Sequence, residues 1–229
     1  DAVVHSYEKL EVLLTNHEKT IEIVSKRFVN AANDEDKLIY ASILAVLNND
    51  IGWNVIQEEI KKYKEWDNGW HFTGHGYERR LSNLDSLIFR LGLTKNKADI
   101  STVIEKADEL KTEDYFSHFR AIAVAFENIR PKEANDVLTK LLEMNSMQGY
   151  DMGDNNDALS KLDFEVKTSG FNRDTLVRNK ELKEIILARA LYRCGDKNGL
   201  GKKILTNYAN GLNGIYARHA WEILNETST

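Results

Sequence analysis

The chain has 229 residues, and its 31 Lys and Arg against 36 Asp and Glu give a net charge of −5, so no basic excess exists to neutralise phosphates and a nucleic-acid partner is not expected. A single proline leaves long stretches free to be helical, and a single cysteine, Cys194, rules out an internal disulfide framework. No apolar run approaches the ~20 residues of a membrane-spanning helix, so no membrane partner is expected either.

Apolar residues recur at helical spacing from the start. Val3, Tyr7, Leu10 and Leu14 mark a first helix, and Ile21, Val24 and Phe28 a second. Tyr40, Ile43, Leu44 and Leu47 follow the i, i+3, i+4, i+7 rule, and Trp53, Ile56, Ile60 and Tyr63 repeat it. Leu81, Leu84, Ile88 and Leu91 come next, then Ile100, Val103, Ile104 and Ala107, then Phe119, Ile122, Ala123 and Phe126. Pro131 suits the start of a helix carrying Ala134, Val137, Leu138 and Leu141, because the missing N–H costs nothing there. The last stripes are Leu187, Ala190, Leu191 and Cys194; Leu200, Ile204 and Tyr208; and Tyr216, Ala220, Ile223 and Leu224. About eleven helices result, with ends uncertain by ~2–4 residues. No sustained period-2 alternation occurs, so no sheet is expected.

The joints are short: Asn48-Asn49-Asp50, Gly92-Leu93-Thr94, Asn128-Ile129-Arg130 and Cys194-Gly195-Asp196. Gly92 and Gly195 suit the left-handed residue that ends a helix. Short joints force neighbours to run antiparallel. First helices of pairs begin near Asp36, Arg80, Asp114 and Lys180, with early spacings of about 35–45 residues, the range of two-helix solenoid units. Asn49-Asp50-Ile51-Gly52 and Asp196-Lys197-Asn198-Gly199 read as one turn used twice. The expected fold is all-α: a single domain over 1–229, its antiparallel helix pairs stacked as a short HEAT- or armadillo-like superhelix with one concave face.

Two segments break the rhythm, near 66–79 and 145–172. The first gathers Trp66, Trp70, His71, Phe72, His75 and Tyr77, followed by Arg79 and Arg80. Aromatics beside a few polar groups suit stacking on a carbohydrate, but such a loop can equally fold its rings onto the core. His71 and His75 are four apart, yet Gly74 and Gly76 flank His75 and no Glu or Cys completes a ligand set, so no metal is expected. In the second segment Asp151, Asp154 and Asp157 lack the spacing of a calcium loop and read as solvated turn residues. His118 and Arg120 share one helix, Arg218 and His219 another; inter-helix hydrogen bonds are the ordinary role of such residues. In the alternative, His118, Arg80 and Arg120 face the groove of the first loop. The candidate ligand-binding set is therefore Trp66, Trp70, His71, His75, Tyr77, Arg80, His118 and Arg120.

Three strings, Ser117-His118-Phe119-Arg120-Ala121, the run from Leu187 to Asp196, and Tyr216-Ala217-Arg218-His219-Ala220, together with Gly69-Trp70 and Leu84-Asp85, resemble the C-terminal helical region of bacterial FAD-dependent oxidoreductases, some labelled putative xanthan lyases. The resemblance spans roughly Tyr40 to Leu224 and departs at Asn213 and Ile215, where a basic residue and a histidine are expected. It implies a HEAT-like domain, with any FAD on a separate dinucleotide-binding region, so that no cofactor is expected in this chain. The first residue is not Met, which fits a mature form or an excised domain. The lack of disulfides is compatible with secretion or the periplasm and does not decide the compartment. The functional expectation is a non-catalytic accessory domain that binds a protein domain or a carbohydrate. The alternative is a polysaccharide lyase using the 66–80 loop, with His71 or Tyr77 as base and Arg80 as the cation that steadies charge beside a uronate carboxylate.

Overall fold

A computed structural model describes residues 12–13, 15–69, 71–73, 76–78, 82–94, 100–160 and 175–226, with 71–73, 76–78 and 175–177 described in backbone alone. The helix expected from Val3 to Leu14 lies mostly outside them.

Asparagine and serine start the first helices. Asn16 accepts the Lys19 N–H at the head of α1 (His17–Val29), and Asn33 accepts the Asp36 N–H at the head of α2 (Asp34–Val46). Asn49 does the same for Ile51 in α3 (Asp50–Lys62), and Ser82 for Asp85 in α4 (Asn83–Leu93). Each such bond satisfies a backbone donor that the helix cannot. Then follow α5 (Ser101–Asp108), α6 (Phe116–Ile129) and α7 (Asn135–Glu143), the last entered through Pro131 and a 3-10 turn, Lys132–Ala134. Residues 155–160 are helical, and α8 (Thr175–Arg193), α9 (Leu200–Ala209) and α10 (Gly214–Leu224) complete the chain.

The fold is all-α. One departure from the expectation of no sheet is a three-residue antiparallel hairpin inside the first loop, β1 (His71–Thr73) with β2 (Gly76–Glu78), Phe72 pairing with Tyr77. Its six residues are too few to disturb the helical periodicity on either side.

The three-residue joint after α2 turns α3 back along it, and the two pack along their length. Helices also touch the next but one: α2 packs on α4, α4 on α6, α6 on α8 and α8 on α10, while α3 meets α5 and α5 meets α7. One continuous core runs through these contacts, with Phe119, Phe126, Ile56, Leu84, Ile88, Leu138 and Leu141 fully buried. The first helices start at Asp34, Asn83, Phe116 and Thr175, within a few residues of the expected starts.

Gly92 is not a helix end. It lies inside α4, where a Cβ would meet the Ala125 Cα of α6 at 2.6 Å; its lack of a side chain lets two helices touch. Gly195 does take a positive φ as expected, and among the described residues so do Asn48, Arg130, Ser146, Gly149, Asp196 and Gly199. Nor is the 49–52 turn repeated at 196–199: Asn49 caps α3 from extended backbone, whereas Asp196 and Gly199 both have positive φ. What the two joints share is a glycine on the second helix pressed against the backbone of the first, Gly52 on Ala41 and Ala45, Gly201 on Ala188 and Tyr192. Asp196 reaches past its turn to accept the N–H groups of Gly201 and Lys202.

Candidate functional site

The apolar stripe of α4, Leu84, Ile88 and Leu91, carries a carboxylate in its midst. Asp85 is buried, and its Oδ1 lies 2.7 Å from the Nδ1 of His118 on α6, itself 2 % exposed. The Trp66 ring lies over His118 with centroids 4.5 Å apart, and Tyr115 meets it edge-on at 5.7 Å. Trp66 is held by an Nε1–H bond to the Lys106 carbonyl, 3.2 Å. Gly69 presses on the same spot: a Cβ there would meet Tyr115, Ser117 Oγ and His118 Cε1 within 2.8 Å. The other oxygen of Asp85, Oδ2, is buried and has no hydrogen-bond partner among the described residues.

The segment between these contacts is tied down at both ends. Asp67 accepts the Ser82 hydroxyl through Oδ1 and the Asn83 N–H through Oδ2, 2.7 Å, so one carboxylate sits at the N-terminus of α4, where the helix dipole favours it. The hairpin leaves and rejoins the helices at this one place: a tongue rooted on His118, Asp85, Asp67 and Ser82.

An aspartate that orients a histidine is the arrangement a general base needs. Here the ring is closed beneath Trp66 and Gly69, so the pair fastens α4, α6 and the loop. Of the sequence candidates, the structure brings Trp66 and His118 into contact. Arg120 is exposed and sends its guanidinium over Phe89 of α4, 5.3 Å from the ring centre, away from the tongue root. His71 and Tyr77 lie in β1 and β2, described in backbone only. Trp70, His75 and Arg80 lie outside the described residues. The sequence reading missed Asp67, Ser82 and the pairing of Asp85. One signal was available: Asp85 falls between Leu84 and Ile88, the wrong residue type for a buried stripe unless it has a partner.

Other buried ionic groups cluster on α8. Lys183 donates to the carbonyls of Thr112, 2.7 Å, and Asp114, 2.5 Å, and lies over the Phe119 ring. Burial pulls its pKa down from the usual 10.5 to about 8. Glu184 accepts the N–H groups of Gly149 and Tyr150 and the Tyr208 hydroxyl; burial pushes its carboxyl up despite these bonds. Glu127 of α6 binds Arg189 and Arg193, and Arg193 also binds Glu226. Arg189 donates to His219 Nε2, 2.8 Å, whose pKa is lowered by burial and then by the Arg189 charge. His219 thus makes the inter-helix bond expected of it. Burial pushes the Cys194 thiol up to about 12, which leaves it inert at neutral pH.

A surface depression of about 420 Å³ is lined by Asp136, Thr139, Lys140, Glu143 and Met144. All five come from α7 and its end, so no groups converge there from different elements. Among the described residues no group of three or more His, Cys, Asp or Glu could hold a metal ion, and no helix is long and apolar enough to cross a membrane. In the second loop Asp154 caps the N–H groups of Asn156 and Asp157, as a turn residue does.

No family model, curated protein or solved structure matches the chain.

Proposed function

We propose that this chain is a HEAT-like helical-repeat binding module, the accessory part of a larger FAD-dependent oxidoreductase-like protein, and that it engages a carbohydrate through the tongue between Trp66 and Ser82. The rooting of that tongue carries the reading. Trp66 stacks on His118, Asp67 grips the head of α4, and Gly69 is wedged on α6. The residues that flank the hairpin are anchored to the helical body, and the sequence between those anchors holds Trp70, His71, Phe72 and Tyr77, ring-bearing side chains of the kind that stack on sugars. The alternating contacts of α2, α4, α6, α8 and α10 support a repeat stack. The buried titratable groups support an accessory role: His118, Lys183 and Glu184 are all committed to holding segments of the fold together.

The test is calorimetric titration of the chain with neutral and uronate-bearing oligosaccharides. Binding is expected, and Trp70→Ala with Tyr77→Ala should abolish it while far-UV circular dichroism stays helical. Equal binding by both proteins removes the tongue from the function. New absorbance from unsaturated uronate would replace the binding reading with a lyase, and flavin retained by the chain after gel filtration would overturn the accessory one.

A further inference from the structure

We propose that the seam between α2 and α4 is a docking surface for an acidic, apolar segment of a protein partner, with Arg90 receiving its carboxylate. This surface lies apart from the tongue and does not depend on the carbohydrate reading.

Arg90, on the last turn of α4, is half-buried, and among the described residues one of its five N–H groups has a protein partner: Nη1 donates to Ser42 Oγ of α2 at 3.0 Å. No carboxylate pairs with it among the described residues, and burial pulls its pKa down. The other buried cations are compensated. Lys106 has Glu109 and the Tyr63 carbonyl, Lys183 has two carbonyls, and Arg189 and Arg193 share Glu127. In a chain with 36 acidic residues, a half-buried guanidinium with no carboxylate partner among the described residues is open to an anion from outside.

The surroundings select the kind of anion. Leu93, one turn beyond Arg90, is 54 % exposed, and Ile39, one turn before Ser42, is 46 % exposed. Phe89 is next to Arg90 in α4, with the exposed Arg120 over its ring and free of any ion pair among the described residues. A guanidinium with exposed aliphatic residues one turn away on each of the two helices suits a bidentate bond to Asp or Glu of a peptide whose neighbouring residues are apolar. A sugar would call for aromatic stacking, which Ile39 and Leu93 do not offer.

The test uses the full chain and two peptides, acetyl-Leu-Glu-Leu-Leu-amide and its Gln analogue, read by NMR at the Arg90 Nε–H and the methyls of Ile39 and Leu93. The Glu peptide should shift all three together and saturate in the range of about 1 mM, with about tenfold weaker binding for the Gln peptide or for Arg90→Met. No shift, or equal shifts with both peptides, sinks the proposal. So do equal Arg90 shifts from inorganic phosphate or glucuronate with the methyls unmoved, which would mark a nonspecific anion hole. Thermal melting separates docking from mere structure. Ser42 keeps its bond to the Leu38 carbonyl, 2.7 Å, when Arg90 is removed. Arg90→Met should therefore keep or raise Tm, and a clear fall would make Arg90 a structural tie and overturn the docking role.

Discussion

The pairs α2–α3 and α8–α9 close in the same way and are secured differently. In both, a glycine near the start of the second helix lies against the backbone of the first. Around α2 and α3 the buried polar residues are Ser42 and Gln57, neither charged. Around α8 they are Glu181, Lys183 and Glu184, with Arg189 and Arg193 on the next turns toward Glu127. The first pair therefore buries no charge of its own, and its polar ties are the neutral groups of Ser42, bonded by Arg90, and Gln57, bonded by Thr102. The second adds ionic ties to distant loops, which make its stability depend on pH and on single partners.

Shape gives the largest expected loss. A Cβ on Gly52 would lie 2.3 Å from both the Ala41 carbonyl oxygen and the Ala45 nitrogen. Backbone atoms of a helix cannot step aside, so Gly52→Ala must separate α2 from α3, at about 3 kcal/mol or more in urea unfolding. A loss under about 1 kcal/mol would show that the pair tolerates a wider spacing.

Next comes Glu127. It is buried between two arginines, and Arg189 would be left with His219 as its partner while Arg193 keeps Glu226. Glu127→Ala should cost about 2–3 kcal/mol, less than for a fully enclosed pair because the arginines are partly exposed. Arg193→Ala as second variant completes a double-mutant cycle; a coupling near zero would mean the network is decorative.

How far these features could be read from sequence follows the same division. The 3.6-residue apolar spacing exposed α2 to α10 because each helix buries one stripe, as Leu84, Ile88 and Leu91 do. The glycines were visible but ambiguous: Gly92 beside Leu93 and Thr94 reads as a cap, and only the proximity of Ala125, 33 residues on, makes it a packing residue. The tongue was legible as a break in rhythm. Its root was not, since Asp67 with Ser82 and Asp85 with His118 are contacts across 15 and 33 residues that no local pattern encodes.

The third effect distinguishes the two pairs by pH. Lys183 releases its proton near pH 8 when folded and near 10.5 when unfolded. Below pH 8 both states hold it; between the two values the unfolded chain binds more protons, so stability from this group rises with pH. Up to about 3 kcal/mol is available over the window, given 1.4 kcal/mol per pKa unit. Tyr208, whose hydroxyl burial pushes up, acts oppositely at the alkaline end. The contribution is therefore read as the difference between the wild type and Lys183→Met in urea midpoints at pH 7.5, 9 and 10.5, values below, within and at the upper edge of the window. A wild-type curve parallel to the variant's would show that Lys183 titrates normally and that the ties around α8 are not desolvated.

The smallest effect is the most direct test of the shared closure. A Cβ on Gly201 would meet the Ala188 carbonyl oxygen at 2.7 Å and the Tyr192 nitrogen at 3.0 Å, a gentler clash than at Gly52. The joint before α9 is also longer, six residues from Cys194 to Gly199 against three from Leu47 to Asn49, and gives α9 more room to shift. Gly201→Ala should therefore cost about 1–2 kcal/mol, clearly less than Gly52→Ala. Equal losses would mean that the ionic ties of α8 to Thr112, Asp114, Gly149 and Tyr150 hold it as rigidly as direct packing holds α2, so that strain at α9 cannot relax. The ratio of the two losses thus measures whether charge or shape fixes the spacing within a helix pair of this protein.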